Sequence, residues 1–187
     1  MKKMSVIRLL CFIGILIFGW YFYKGIASEK NAVNYLKAID KVYNSDIIGM
    51  SLVVLKSSDL HGKDVEIHLS AVGNKENNFS NDSEEGVRLW AAKQLFSSIK
   101  SLKVVREGSP ELLEPKENEY YMIHTNHDFS VGSHIYYLSL FVNPKNYHIY
   151  LPKEYYEPQK LIDFSAIYVE YEPNEVTKKL IDDIVIL

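Results

Sequence analysis

The sequence predicts an α+β protein in which an N-terminal transmembrane helix precedes one domain, an antiparallel sheet of five to six strands packed against one main helix. An uncharged and mostly apolar stretch at residues 9–23 predicts the membrane helix. Short β-branched or alternating runs separated by turn residues predict the antiparallel strands. One long segment, residues 82–102, carries apolar residues at helical spacing and predicts the main helix.

The composition is that of a folded protein, since 47% of the 187 residues are hydrophobic and 24% are charged. Residues 1–27 contain four of the 21 basic residues and none of the 24 acidic ones, so the remaining 160 carry 17 basic against 24 acidic side chains, a formal charge of −7. An acidic domain is poorly suited to a phosphate backbone, which argues against nucleic acid as a partner. The sequence also contains no nucleotide-binding glycine loop, paired-cysteine metal motif or nucleophile elbow.

The start of the chain has the features of a signal anchor. Residues 4–23 supply roughly the 20 helical residues that span a bilayer, provided that the Arg8 side chain extends back to the headgroups. The aromatic cluster at residues 20–23 then lies at the far interface, and Lys2 and Lys3 keep the N-terminus cytoplasmic. We therefore expect a single-pass protein of the cell membrane with an extracytoplasmic C-terminal domain.

A cleaved secretory signal is the alternative for this segment. Gly25 and Ala27 place small residues at the two positions that a signal peptidase inspects, so cleavage near Ala27 would release a secreted domain. The aromatic cluster and Lys24 directly before that position favour an uncleaved anchor. Under both interpretations the domain leaves the cytoplasm.

The single cysteine, Cys11, lies inside the apolar stretch. Large residues precede it and the apolar run continues after it, unlike the small-residue box of a lipid-attachment cysteine. The exported part has no disulfide and must be stabilised by its core. We expect three segments: a cytoplasmic stub and anchor at residues 1–27, a juxtamembrane helix at 28–45 and an extracytoplasmic α+β domain at 46–187.

The elements that follow the anchor are predicted from their periodicity. Residues 31–43 have apolar side chains at helical spacing, and residues 47–55 are β-branched and aliphatic, which predicts a helix and a strand. Residues 64–72 alternate between apolar and polar side chains, which predicts a half-buried strand. Its buried face should consist of Val65, Ile67, Leu69 and Ala71.

The main helix is predicted to begin at Asp82, which has Glu85 at the spacing of a capping box. Residues 106–118, with two prolines and four glutamates, predict a surface loop after this helix. The apolar face of the helix should consist of Val87, Trp90, Ala91, Leu95, Ser98, Ile99 and Leu102.

Ten of the fourteen tyrosines lie between residues 120 and 171, where strands are predicted at 119–125, 134–142, 147–151 and 164–171. Asn143 to Asn146 fits a type I turn, so the middle two strands should form a hairpin. The strand at 134–142 is apolar on both faces, as expected of a central strand. A closing helix should begin at residues 173–175, with Val176, Leu180 and Ile184 on one side.

The group best suited to a metal ion consists of His124, His127, Asp128 and His134. If a loop at residues 126–133 joins two antiparallel strands, these side chains lie near one strand end and could bind zinc or another divalent ion. A flush register pairs His124 with Ile135 and separates His124 from His134, whereas an offset of one residue brings them together. A metal-assisted hydrolase using this group is the enzymatic alternative; a polar hairpin loop without metal is the simpler interpretation.

Aromatic and acidic residues alternate near the C-terminus, where Glu154, Glu157, Glu170 and Glu172 lie among the tyrosines. Tyrosine supplies large contact area at low entropy cost, so exposed tyrosine strands make good protein surfaces. The candidate binding surface consists of Tyr155, Tyr156, Tyr168 and Tyr171. Carboxylates beside aromatic rings also occur in glycosidases, and the same pattern is typical of a solvated sheet face or a core.

The order of segments in the second half of the chain is distinctive. A helix ending AAKQLFSSIKSL is followed by EYYMIHT, a tyrosine-rich hairpin YYLSLFVNPKNYHIYL, a last strand AIYVEYEP and a closing helix EVTKKLIDDI. In this order the chain resembles the small extracytoplasmic domains of uncharacterised bacterial lipoproteins and membrane-anchored proteins. The resemblance implies no particular reaction, and Cys11 departs from the lipoprotein version.

These features together predict a membrane-anchored extracytoplasmic binding or accessory module. We expect it to contact another protein or an envelope component, without catalysis and without a cofactor. The enzymatic alternative is the metal-assisted hydrolase, and a third interpretation is a domain that spaces or stabilises a larger membrane assembly.

Overall fold

The computed structural model describes residues 32–45, 47–74, 83–115, 118–129, 135–156 and 167–185. All of these except Ala32 and Tyr156 belong to one compact unit, formed by residues 33–155 and 159–187. The anchor predicted at residues 1–27 lies outside the described residues. Within the described ranges, no helix has the length and apolar character needed to cross a membrane.

Nine strands are described, and seven of them form one antiparallel sheet. They are β1 (Ala32–Asn34), β2 (Ile47–Ser57), β3 (Glu66–Asn74), β4 (Lys103–Gly108), β5 (Tyr120–Phe129), β6 (Ile135–Val142), β7 (Ile149–Pro152), β8 (Glu154–Tyr156) and β9 (Tyr168–Glu172). The large sheet has the order β3-β2-β5-β6-β7-β9-β4, and β1 pairs with β8 in a small second sheet. The α+β class is therefore confirmed, with seven strands in the large sheet where five to six were expected.

Three helices of eight or more residues pack together on one face of the large sheet. They are α1 (Tyr35–Tyr43), α2 (Glu84–Ser98) and α4 (Glu175–Val185); the short helix α3 (Pro110–Leu113) precedes β5. The main core lies between these helices and the sheet, and its fully buried members include Leu52, Val54, Ala91, Leu95, Ile123, Leu138, Leu140 and Ile184. This core is the larger of the two hydrophobic clusters, and burial of apolar side chains is the main favourable contribution to folding.

A second, smaller core lies on the opposite face of the sheet, at the end where β2 finishes and β5 begins. Leu60, in the loop after β2, and Leu113 of α3 cover this core, and their side chains are 0% and 1% exposed. From the sheet it receives Tyr120, Met122, Phe141, Tyr150 and Tyr168. The side chains of β5, β6, β7 and β9 are therefore buried on both faces at this end, which explains the nearly continuous apolar runs in their sequences.

Helix α1 belongs to the main core. Its side chains Tyr35, Ala38, Ile39 and Val42 are all buried. We expected a juxtamembrane helix at residues 28–45, separate from the domain, but the described part of it packs within the domain. The three residues before it form a strand that the helical spacing of residues 31–43 did not predict.

The packing face of α2 is rotated relative to the prediction. Ser83 caps the helix by accepting a hydrogen bond from the Gly86 N–H at 3.0 Å, one residue after the cap that was predicted at Asp82. Trp90, predicted to be on the apolar face, is 38% exposed. The buried residues are Gly86, Leu89, Ala91, Ala92, Leu95 and Phe96.

A bulge interrupts the alternation of β3. Leu69 pairs with Val54 and Ile67 pairs with Leu55, so His68 is an extra residue between two successive pairs. Ala71 and Leu69 face the helices as predicted.

Before the bulge, the face of β3 that was predicted to be buried is exposed. Ile67 is 73% exposed and Val65 is 43% exposed. After the bulge, Val72 faces away from the helices and is 72% exposed. The predicted burial of Val65 and Ile67 is wrong because a single inserted residue changes which face the following residues occupy.

The C-terminal elements agree more closely with the prediction. Strands β6 and β7 form the expected hairpin, closed by a hydrogen bond from the Tyr147 N–H to the Asn143 carbonyl at 2.8 Å. Strand β6 is the middle strand of the sheet. Asn174 accepts a hydrogen bond from the Thr177 N–H at 2.9 Å and so caps α4. Strand β4 and helix α3 lie where a helix end and a loop were expected.

Candidate functional site

The histidines predicted as metal ligands lie on both faces of β5. His124 faces away from the helices, where its Nδ1 is 2.6 Å from the Ser139 hydroxyl and its ring stacks on Tyr137 at 5.7 Å. The short contact follows from the register, since His124 and Ser139 are directly opposed. Burial lowers the pKa of His124, so its imidazole is neutral at pH 7.

His127 faces the helices and is fully buried. Its Nε2 is 3.0 Å from the Thr125 hydroxyl, and its ring lies edge-on to Tyr43 of α1 at 5.1 Å. Burial lowers the pKa of His127 to about 3, with smaller contributions from His124 and Lys93. His127 is thus a neutral core side chain.

Asp128 is exposed at the end of β5, opposite Gly49. A Cβ atom on Gly49 would lie 3.2 Å from the Asp128 carboxylate, so the glycine allows this carboxylate to lie across the strand. His134 lies outside the described residues.

The structure does not bring His124 and His127 together, because residues three apart on a strand point to opposite faces. The register pairs His124 with Ser139 rather than with Ile135, since β5 continues to Phe129. Among the described residues, no group of three or more His, Cys, Asp or Glu side chains is arranged to hold a metal ion.

The tyrosines predicted to form a binding surface are buried where the structure describes them. Tyr155 and Tyr171 are 3% and 4% exposed in the main core, and Tyr168 is fully buried in the second core. The side chain of Tyr156 lies outside the described residues. Both faces of β9 are covered at this point, so its tyrosines serve packing rather than contact.

Glu170 also departs from the expected solvated face, since its side chain is 5% exposed. The Arg106 guanidinium donates to one carboxylate oxygen; His148 Nδ1, at 2.7 Å, and the Tyr150 hydroxyl, at 3.0 Å, contact the other. Burial acts to raise the pKa of Glu170, but the hydrogen bonds from Arg106, His148 and Tyr150 outweigh it and hold the pKa below its usual range. Glu154 and Glu172 are exposed, and Glu157 lies outside the described residues.

Arg106, His148 and Tyr150 were not predicted as members of a site. Tyr150 and His148 alternate with the buried Ile149, which signals a shared face. The partner of that face, Glu170, follows only from the pairing of β7 with β9.

The registers place one residue of each strand in a row across the face opposite the helices. The row consists of Ile67, Leu55, Met122, Phe141, Tyr150, Glu170 and Arg106. It begins at an apolar edge and ends at a charged edge. The two edges of the sheet therefore have different chemistry.

Strand β3 is the apolar edge. Ile67 and Val72 are its exposed β-branched residues, Val65 directly before it is also exposed, and no described strand pairs with its outer side. An unpaired edge presents a row of free N–H and C=O groups, which another extended chain can match. This edge is the candidate contact surface of the domain.

Comparison with known proteins gave no match: no family model, no curated protein and no solved structure matches the chain.

Proposed function

We propose that the chain is a membrane-anchored extracytoplasmic binding module that contacts another protein and performs no catalysis. The observation that carries the proposal is the exposed, apolar outer edge of β3. Ile67 and Val72, at 73% and 72% exposed, place β-branched side chains in water on a strand nine residues long. Exposed apolar edge strands are uncommon in isolated proteins because they promote pairing with other chains.

Strand addition is the binding mode that this edge supports. An extended segment of the partner would pair with the backbone of β3, and alternate side chains of that segment would contact Ile67 and Val72. The backbone hydrogen bonds supply affinity, and the two apolar side chains select β-branched or aromatic neighbours.

The anchor at residues 1–27 is part of the same proposal. It rests on the apolar stretch and on the basic residues that precede it. The proposed topology is tested with Leu112→Cys in a Cys11→Ser background, treated in intact cells with a membrane-impermeant maleimide. Labelling before cell lysis supports an extracytoplasmic domain, and labelling only after lysis contradicts it.

Binding is tested by photocrosslinking in the native host with the full-length chain. Benzoylphenylalanine is placed at Ile67 and, as a matched control, at Leu112, because both residues are 73% exposed. We expect one dominant adduct from position 67 and none from position 112. The adduct, identified by mass spectrometry, names the partner.

Two results would contradict the proposal. Equal adducts from both positions would mean non-specific contact, and no adduct from position 67 would mean that β3 is not the contact surface. Stoichiometric metal in the purified full-length chain, lost in His124→Ala, would instead favour the hydrolase alternative.

A further inference from the structure

The sheet has an internal gap beside its middle strand. β6 pairs with β5 through all eight of its residues, whereas it pairs with β7 only at Phe141 and Val142. By the same register Pro152, the last residue of β7, lies opposite Ser139 without pairing with it, and a proline has no N–H to donate to the Ser139 carbonyl. Among the described strands, none continues along that side of β6.

The side chain of Tyr35 occupies this gap. Its hydroxyl donates to the Ser139 carbonyl oxygen at 3.0 Å and accepts from the Ser139 N–H at 2.6 Å. A neighbouring strand would satisfy both groups in the same way, and a hydroxyl can do so alone because it is both donor and acceptor. Burial raises the pKa of Tyr35, so the hydroxyl keeps the proton that it donates.

The start of α1 is fastened at the same place by further contacts. The Tyr35 N–H donates to the Lys153 carbonyl at 3.1 Å, and the Tyr35 ring lies edge-on to Tyr155 at 5.6 Å. Asn34 caps the helix by accepting from the Leu36 N–H at 3.0 Å. The first turn of α1 is thus bound to the sheet through one buried side chain.

Ser139 links this contact to the opposite face of the sheet. Its hydroxyl is 2.6 Å from His124 Nδ1, and His124 stacks on Tyr137. A shift of the Ser139 backbone would therefore move a hydrogen bond on the face away from the helices. The contact between α1 and β6 is in this way coupled to both sides of the sheet.

We propose that Tyr35 is a releasable plug, which closes the gap beside β6 when α1 is docked and opens it when the first turn of α1 withdraws. Release frees the N–H and C=O of Ser139, the donor and acceptor pattern of a sheet edge. Because β1 leads directly into Tyr35, displacement of β1 acts first on the plug. This device is independent of the β3 contact surface, which lies at an edge of the sheet, three strands away from β6.

Hydrogen exchange at single-residue resolution tests the plug on the full-length chain. Tyr35→Phe keeps the ring and removes the two hydrogen bonds to Ser139. Tyr147→Phe is the matched control, because its hydroxyl also joins two elements, donating to Asp182 at 2.9 Å, but does not touch β6. We expect Ser139 exchange to accelerate by about tenfold or more in Tyr35→Phe and to be unchanged in Tyr147→Phe.

The amides of Leu52 and Ile123, whose side chains belong to the main core, should exchange at the wild-type rate in both variants. In the wild type, Ser139 and the amides of α1 should share one opening whose denaturant dependence is smaller than that of Leu52. Unchanged Ser139 exchange in Tyr35→Phe would overturn the proposal. Equal acceleration at Leu52 and Ser139 in Tyr35→Phe would also overturn it. The same holds if the wild-type Ser139 amide exchanges only in openings that also expose Leu52, because each result means that α1 does not separate from the sheet on its own.

Discussion

The two edge strands of the large sheet, β3 and β4, differ in the side chains that lie beside their outer backbone groups, which no described strand pairs with. β4 carries Lys103 and Glu107, each in an ion pair with a neighbouring segment, at 2.7 Å to Glu172 and 2.6 Å to Lys153. β3 instead presents Ile67 and Val72 to water. Charged side chains discourage the pairing of an edge with another chain, and exposed β-branched side chains promote it. β4 also exposes the β-branched Val104 and Val105, at 50% and 44%, so its apolar exposure is smaller than that of Ile67 and Val72 but not absent, and its ion pairs distinguish it from β3, the proposed contact edge.

The charged edge is also tied to the protein interior. Arg106 of β4 binds Glu170, and its two terminal nitrogens lie 3.4 and 3.3 Å from the carbonyls of Leu112 and Leu113. One side chain therefore connects β4, β9 and α3. On β3, the His68 side chain makes a contact with the C-terminal helix, since its Nε2 lies 3.2 Å from the Val185 carbonyl of α4.

The largest expected effect comes from removing the carboxylate beneath the charged edge. Glu170→Ala leaves Arg106, His148 and Tyr150 without their common acceptor, and we expect the free energy of unfolding to fall by about 3 kcal/mol. Glu172→Ala is the matched control two residues away. Because the Glu172 side chain is 48% exposed, its replacement should lower the free energy of unfolding by at most about 1 kcal/mol. Urea denaturation measures both, and equal losses would remove the distinction.

Acid should affect the two edges differently. The pKa of Glu170 is lower in the folded chain than in the unfolded one, so its stabilisation is present above about pH 4.3 and is lost as the pH falls. Hydrogen exchange in β4 should therefore accelerate as the pH falls below about 4.3, after correction for the intrinsic rate, while exchange in β3 follows the rest of the sheet. The extra acceleration in β4 should disappear in Glu170→Gln. If the extra acceleration persists in Glu170→Gln, it results from the titration of a group other than Glu170.

Polar substitution at the apolar edge should abolish contact without loss of stability. Ile67→Lys with Val72→Lys places two charges on exposed positions, and the unfolding free energy should change by about 0.5 kcal/mol or less. The crosslink from a probe at Val65 should be lost. A strongly destabilised variant would show that these side chains are packed against part of the protein.

The smallest effect is expected for the exposed ion pairs of β4. Lys153→Ala removes the pair with Glu107, whose two side chains are each 45% exposed, and we expect a change of between about 0 and 1 kcal/mol that shrinks in high salt. The salt dependence of the melting temperature measures it. A larger, salt-independent loss would indicate that the Lys153 stem is important for packing.

The hairpin of β6 and β7, the central position of β6 and the cap of α4 follow from local patterns. The turn at Pro144, the apolar character of β6 and the Asn before α4 are each determined by residues close to one another in the sequence. These elements could be predicted for that reason.

The two edges could not be predicted in the same way. The alternation of residues 64–72 is regular, and nothing local reveals that His68 is accommodated as a bulge. Glu170 resembles the exposed Glu172 in sequence, and its burial depends on Arg106, which lies 64 residues away. The candidate surface and the charged cluster both depend on long-range pairing. The buried tyrosines of β9 were misassigned for the same reason, since the second core comes from distant segments.

Because the second core covers only part of the sheet, the two ends of the sheet should differ in how many substitutions they tolerate. Where it is present, around Phe141 and Tyr150, side chains on both faces are constrained, so few substitutions should be accepted there. Toward the other end, around Ser51 and Val72, the part of the chain that the structure describes packs on the helix-facing positions and leaves Val72 exposed. The boundary crosses β6 itself, between Phe141 and Tyr137. New binding specificities can therefore arise at one end of this sheet while the other end keeps the fold unchanged.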